Sequence, residues 1–331
     1  MFWPNSQSHR PLITLCLIAS LTLLALSSVV TAQDQEPLDV VRVRTDLVAV
    51  PVTVVDSRRR YVSTLKPEDF VLTDNGRTAK IEYFASGAKH VGLLFAIDAS
   101  GSAREIIQQQ RSAALALFSR FGRGSRVAVL HFGNFVRLTV PFTSNAAGAE
   151  SLFNYQPQEN AGTAIFDAAG AAVRSFDGTG GFSTERRIVL LMSDGLDTLS
   201  SSSYKTVIDA AQLRGVSFYV IHFPLFSPRD GSLAPRPATK GFRELAEQTG
   251  GRYFRIGNAR SALDPKAQPD LGPVFQAIEA DLKGQYVLGF YPGEGSRDDQ
   301  EHLITVRLSQ PRSKFKVNQL KLSYSLKTTH D

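Results

Sequence analysis

The spacing of hydrophobic and polar positions changes character twice along the chain. Over residues 38–56 (LDVVRVRTDLVAVPVTVVD) Val, Leu and Thr recur at alternate positions, the period of a half-buried strand, and Pro51 marks an edge or a bulge within it. Strands are also predicted over 70–73 and 79–84, with Asp74-Asn75-Gly76 as the hairpin turn between them. From about His90 short apolar runs alternate with helical periodicity, the signature of βαβ units and a largely parallel sheet. The strands fall at 91–97, 126–132, 188–192 and 216–222, with a shorter one at 252–256. Helices fall near 103–121, 163–176, 204–214, 240–249 and 272–283. Gly133-Asn134 leaves too little chain for a crossover, so 135–140 should return antiparallel at a sheet edge. After Gly284 the strand period resumes at 285–291, 302–308 and 315–326, the last with a break.

The pattern predicts an α/β fold: a doubly wound, mainly parallel sheet with one antiparallel edge strand. Neither flanking set of strands is large enough to be stable alone. The economical arrangement joins residues 38–88 and 285–328 in one small all-β, Ig-like sandwich, with the α/β domain of 89–284 inserted between its halves. Two separate β pieces packed on the α/β domain are the alternative.

Composition sets the class. The chain has 331 residues, 43% of them hydrophobic, enough for a sizeable core and more than one domain. Residues 11–30 are apolar without a charge, follow Arg10 and run into Val30-Thr31-Ala32. This reads as a signal peptide over 1–32, cleaved near Ala32 and sending the chain to the periplasm or the exterior. An uncleaved membrane anchor over 11–30 is the alternative. The only cysteine, Cys16, lies in that segment, so the exported part would carry no disulfide, thiolate nucleophile or Cys-based zinc site. The net charge of +6 is modest, and the runs Arg58-Arg59-Arg60 and Arg186-Arg187 lack the interleaved aromatics of a nucleic-acid groove.

FAIDASGSA, at the end of the first α/β strand, clusters Asp98, Ser100 and Ser102 where open α/β sheets bind ligands. No GxxxxGK[ST] or GxGxxG supports a phosphate loop, and Asp98 stands where a nucleophile elbow would need its first glycine. AGTAIFDA brings Thr163 to a helix start and LLMSDGLDT brings Asp194 to the end of another strand. Two carboxylates and three hydroxyls are hard oxygen donors, suited to Mg²⁺ or Mn²⁺. Two carboxylates only neutralise a divalent ion, which would then seek one more anionic oxygen from outside. Asp167, on the same helix face as Thr163, is a supporting group or a solvated carboxylate. Asp197 is expected to cap the helix that follows it, and His131 and His222 to be packed or solvated strand ends.

DASGS, a following GT and a later SDG resemble the metal-ion-dependent adhesion site of von Willebrand factor type A domains over about residues 90–284. The resemblance implies that Ser100, Ser102 and Thr163 contact the ion directly or nearly so. It implies further that Asp98 and Asp194 hold it partly through water, and that a partner's Glu or Asp completes the shell. The flanking TLKPEDFVLTDNG, QYVLGFYP and HLITVRL resemble the β pattern of a bacterial exported family related to this domain. LSYSLK departs from the ending expected there and leaves the closing strand's register open.

The reading that follows is an exported adhesion or protein-interaction module, not an enzyme, gripping an acidic residue of a protein partner. A metal-dependent hydrolase of a phosphoester-like anion and a scaffold with a silent metal site are the alternatives. Residues 224–241 (PLFSPRDGSLAPRPATKG) are expected to form an irregular loop on the same face, with Arg229, Arg236 and Lys240 supplying charge for partner selection.

Overall fold

The computed structural model describes residues 46–327 except 59, 146–150, 152, 158–160, 179–183, 263, 265–267 and 311–313. The expected signal or anchor segment therefore lies outside the described residues. In chain order the elements are β1 (Val48–Asp56), β2 (Phe70–Asp74), β3 (Arg77–Ala79), β4 (Tyr83–Ser86), β5 (Val91–Asp98), α1 (Ile107–Phe121), β6 (Arg126–Phe132), β7 (Val136–Thr143), α2 (Ile165–Arg174) and β8 (Arg186–Ser193). There follow α3 (Tyr204–Arg214), β9 (Val216–His222), β10 (Phe226–Arg229), β11 (Ser232–Pro235), α4 (Phe242–Gln248), β12 (Tyr253–Arg255), α5 (Ala259–Ala262), α6 (Gly272–Gly284), β13 (Gln285–Phe290), β14 (His302–Leu308), β15 (Phe315–Gln319) and β16 (Ser323–Tyr324).

Six strands form the central sheet in the order β12-β9-β8-β5-β6-β7, all parallel except β7 at the edge. The middle strands are unbroken apolar runs because both faces are covered. In β5, Leu93, Phe95 and Ile97 pack with Leu117 of α1 and Ile278 of α6, while Leu94 and Ala96 pack with Ala169 of α2, Val207 of α3 and Leu245 of α4. From β5 the chain winds outward to β6 and β7, then returns to β8 and winds the other way. The β5–β8 junction is thus the point where strand order reverses, and its carboxyl end is open to a ligand.

Two antiparallel sheets, β15-β1-β13-β4 and β16-β14-β2-β3, each combine strands from both ends of the described chain. They share one apolar cluster that includes Val50, Val52, Phe70, Leu72, Leu288 and Ile304. β14 alternates inward His302, Ile304 and Val306 with outward Leu303, Thr305 and Arg307, as a sheet with one wet face requires. Pro51 pairs with Val287 of β13, and on its other side its carbonyl accepts the Leu320 amide at 3.0 Å, just beyond the end of β15. The closing register is set by Tyr324 opposite His302, with the Tyr324 hydroxyl donating to Asp74 at 2.7 Å.

Two sequence expectations are corrected, and one short helix was not expected. The strand predicted at 79–84 is two, β3 and β4, because residues 80–82 cross from one sheet to the other. The 224–241 segment is not irregular throughout: β10 and β11 form a hairpin across Asp230-Gly231, both with positive φ, a two-residue turn these residues adopt readily. The four-residue helix α5 carried too little periodicity to be foreseen.

Candidate metal centre

Asp98 is the last residue of β5, fully buried, and its carboxylate is held from two sides. The Ser100 amide donates to Oδ1 at 2.9 Å and the Ser193 hydroxyl donates to Oδ2 at 2.6 Å. Ser193, at the end of β8, accepts the Gly195 amide at 3.0 Å and so ties the two strand ends together. Gly195 has φ +81, and a Cβ there would lie 2.9 Å from the Ala238 Cβ, so the SDG turn needs glycine for conformation and for space.

Asp194 uses Oδ1 to accept the Leu196 amide at 2.9 Å. Its Oδ2 is buried and, among the described residues, makes no hydrogen bond of proper geometry, although the Ser102 hydroxyl lies near enough to pull on the carboxylate. The Ser100 and Ser102 hydroxyls stand 3.2 Å apart in the loop facing it. Thr163 is buried on the third segment. The Gly101 amide donates to the Ala161 carbonyl at 3.0 Å, and the Thr163 amide donates to the Thr198 hydroxyl at 2.9 Å, which holds this segment to the other two loops. The five residues singled out in the sequence therefore lie on three mutually bonded loops at the carboxyl end of the sheet.

Burial pushes the Asp98 carboxyl up to about 7, and the nearby Asp194 carboxylate adds to the rise against the hydrogen bonds from Ser100 and Ser193. Burial also raises Asp194, with the Ser102 hydroxyl, the Leu196 amide and Arg236 opposing it. Two neighbouring carboxylates away from water, one with an orphaned oxygen, fit a divalent cation. Among the described residues no three His, Cys, Asp or Glu side chains cluster as a metal cage, so any ion here would rest on mixed carboxylate and hydroxyl donors. That chemistry matches Mg²⁺ or Mn²⁺.

Several neighbours were not singled out as part of the centre. His222 bonds through Nε2–H to the Asp194 carbonyl at 2.8 Å, so its Nδ1 accepts from the Tyr253 hydroxyl. Burial holds His222 neutral, with its pKa lowered to about 4. His131 is likewise lowered to about 4 by burial, and its ring lies 4.8 Å from that of Tyr155. Asp197 does not cap the following helix: its Oδ1 accepts the Ile165 amide at 2.8 Å at the start of α2, and Ser203 caps α3 instead. Asp167 accepts the Ser201 and Ser202 amides, at 2.9 and 2.8 Å, and fastens the loop after Asp194. Ser193 was foreseeable from SDG itself, whereas the His222 contact depends on the alignment of β8 with β9. Arg229 and Lys240 are exposed on the segment after β9, and Arg236, also exposed, is the one of the three that acts on Asp194.

The von Willebrand factor type A domain family matches residues 93–266. Among curated proteins nothing matches the chain. Among solved structures, the conserved hypothetical protein BatB from Bacteroides thetaiotaomicron is 20% identical, with 58% of this chain and 99% of that one covered and a TM-score of 0.45. A von Willebrand factor type A protein from Catenulispora acidiphila is 14% identical, covering 81% of this chain and 76% of that one, with a TM-score of 0.46. Proximal thread matrix protein 1 from the mussel byssus, with a zinc-occupied MIDAS motif, is 16% identical, covering 62% of this chain and 48% of that one, also with a TM-score of 0.46. The family match spans more than half of the sequence, and the chain belongs to the von Willebrand factor type A domain family.

Proposed function

We propose that the chain is an exported protein-interaction module in which Asp98, Ser100, Ser102, Thr163 and Asp194 hold one Mg²⁺ or Mn²⁺ for an acidic side chain of a protein partner. Domains of this family serve as adhesion and interaction modules. The observation that carries the reading is the buried, unpartnered Oδ2 of Asp194 beside the paired hydroxyls of Ser100 and Ser102. When bound, the ion supplies an electrophilic position open to one external carboxylate oxygen. The chain's own residues do the rest. Ser193 and the Ser100 amide orient Asp98, and His222 fixes the Asp194 backbone. The ties among the three loops keep the hydroxyls facing the carboxylates before any ion arrives, which limits the ordering entropy on binding.

Binding is favoured over hydrolysis because neither nearby histidine presents a base to a ligand: both His222 nitrogens are engaged, and the unpartnered Nε2 of His131 is buried away from solvent. The hairpin of β10 and β11, with Arg229, Arg236 and Lys240 around it, is the part we assign to partner choice. Titration calorimetry of the mature chain with MnCl₂ tests the centre. One Mn²⁺ per chain is expected for the wild type and none for Asp98→Ala or Asp194→Ala. Equal Mn²⁺ affinity in all three proteins rejects the site.

A further inference from the structure

We infer that the cavity lined by His222, Arg236, Arg243, Tyr253 and Arg255 is a second anion subsite, which takes another carboxylate of the same acidic partner segment that reaches the Asp98–Asp194 centre. The inference rests on the function proposed above and specifies the partner: a segment with acidic side chains in succession, not a lone Glu or Asp.

The cavity, about 190 Å³, opens between the carboxyl ends of β9 and β12 and the chain leaving β11, where Pro235, Pro237 and Ala238 complete its wall. β12 runs parallel to β9 with Arg255 opposite His222, so both reach the same edge of the sheet. Its back wall is shared with the metal centre, because the His222 ring that lines it also donates to the Asp194 carbonyl at 2.8 Å. A ligand seated there lies beside the metal-facing carboxylates.

The charge around this cavity is not consumed by the fold. Arg236 and Arg255 are exposed, and among the described residues neither forms an ion pair with a carboxylate, although Arg236 acts on Asp194 at longer range. Arg243 lies over the Tyr253 ring at 4.2 Å, and its 3.7 Å pair with Glu247 is exposed on both sides and correspondingly weak. Three guanidinium groups converge on one opening, a like-charge arrangement that an anion relieves. Their planar donors suit a carboxylate, and Tyr253 offers a flat apolar wall beside them.

Fluorescence anisotropy with the full chain tests this, using labelled hexa-aspartate and a labelled serine peptide carrying a single aspartate, each with Mn²⁺ or with EDTA. Substituting R236Q and R255Q together should weaken hexa-aspartate binding in Mn²⁺ about tenfold, the sum of two modest exposed contacts. Binding of the single-aspartate peptide should fall far less, by no more than the loss of the Arg236 charge near Asp194 accounts for. K314Q with K316Q, an equal loss of charge on the exposed residues at the start of β15, should change neither, and thermal melts should show all variants folded. Equal hexa-aspartate affinity in the wild type and R236Q/R255Q overturns the subsite, as does an equal loss in K314Q/K316Q. Binding that EDTA abolishes but the arginine substitutions leave intact keeps the metal centre and removes the subsite. Binding that survives EDTA yet falls in R236Q/R255Q keeps the subsite and removes the metal centre.

Discussion

Asp98 carries the sharpest conflict at the residue scale, a carboxyl without exposed surface beside a second carboxylate. Its pKa is pushed up to about 7 in the folded chain, from the ordinary aspartate value of 3.8. Between those pH values the folded chain retains a proton that the unfolded chain has released, so apo stability falls as pH rises across that window and levels off above it. The effect is on the order of a few kcal/mol at most. Melting curves between pH 4 and 8 should show this decline in the wild type with EDTA and a smaller one in Asp98→Asn. Saturating Mn²⁺, which favours the charged carboxylate, should abolish the decline near neutrality, and its affinity should weaken as pH falls below about 7. A decline identical in wild type and Asp98→Asn would assign it to other groups.

At the scale of elements, the centre depends on caps that reach across the chain. Asp197, after β8, accepts the first amide of α2 and the Ser200 hydroxyl, at 2.8 and 2.5 Å, so one carboxylate fixes both the helix start behind Thr163 and the loop that follows Asp194. Asp197→Ala should cost about 1–2 kcal/mol of stability, the usual cost of a lost cap, and should reduce Mn²⁺ affinity severalfold without abolishing it. A denaturant titration and calorimetry measure the two effects, and unchanged stability would show the cap to be dispensable. That bond also marks how far the sequence is legible. The five candidate residues and the strands that carry them follow from local signals: continuous apolar runs, a Gly-Asn turn before β7 and a motif on each loop. Asp197 looks like a cap for the helix just downstream, and only the folding of β8 beside β5 turns it toward α2. The split of residues 79–84 between two sheets, and the meeting of Tyr253, His222 and Asp194, likewise arise from contacts distant in sequence, which no local period encodes.

At the scale of the molecule, the domain division we propose makes 38–88 and 285–328 two halves of one sandwich around the 89–284 insertion. β1 pairs with β13 and then with β15, and β2 pairs with β14, so the N-terminal strands depend on C-terminal partners. Ending the chain at 284 strips β1 of both neighbours and uncovers Val50, Val52, Phe70 and Leu72, each contributing about 1.5–3 kcal/mol when buried. It also leaves edge strands open to pairing with another chain. Removing the N-terminal half as well removes those exposed faces, so a shorter fragment should behave better than a longer one. Of the fragments 46–327, 46–284 and 89–284, the middle one should aggregate and bind a hydrophobic dye, while 89–284 should stay soluble and bind Mn²⁺ as 46–327 does. Light scattering and calorimetry on the three decide it. Should 46–284 prove as soluble and as cooperative in unfolding as 46–327, the halves do not depend on each other and the division is wrong.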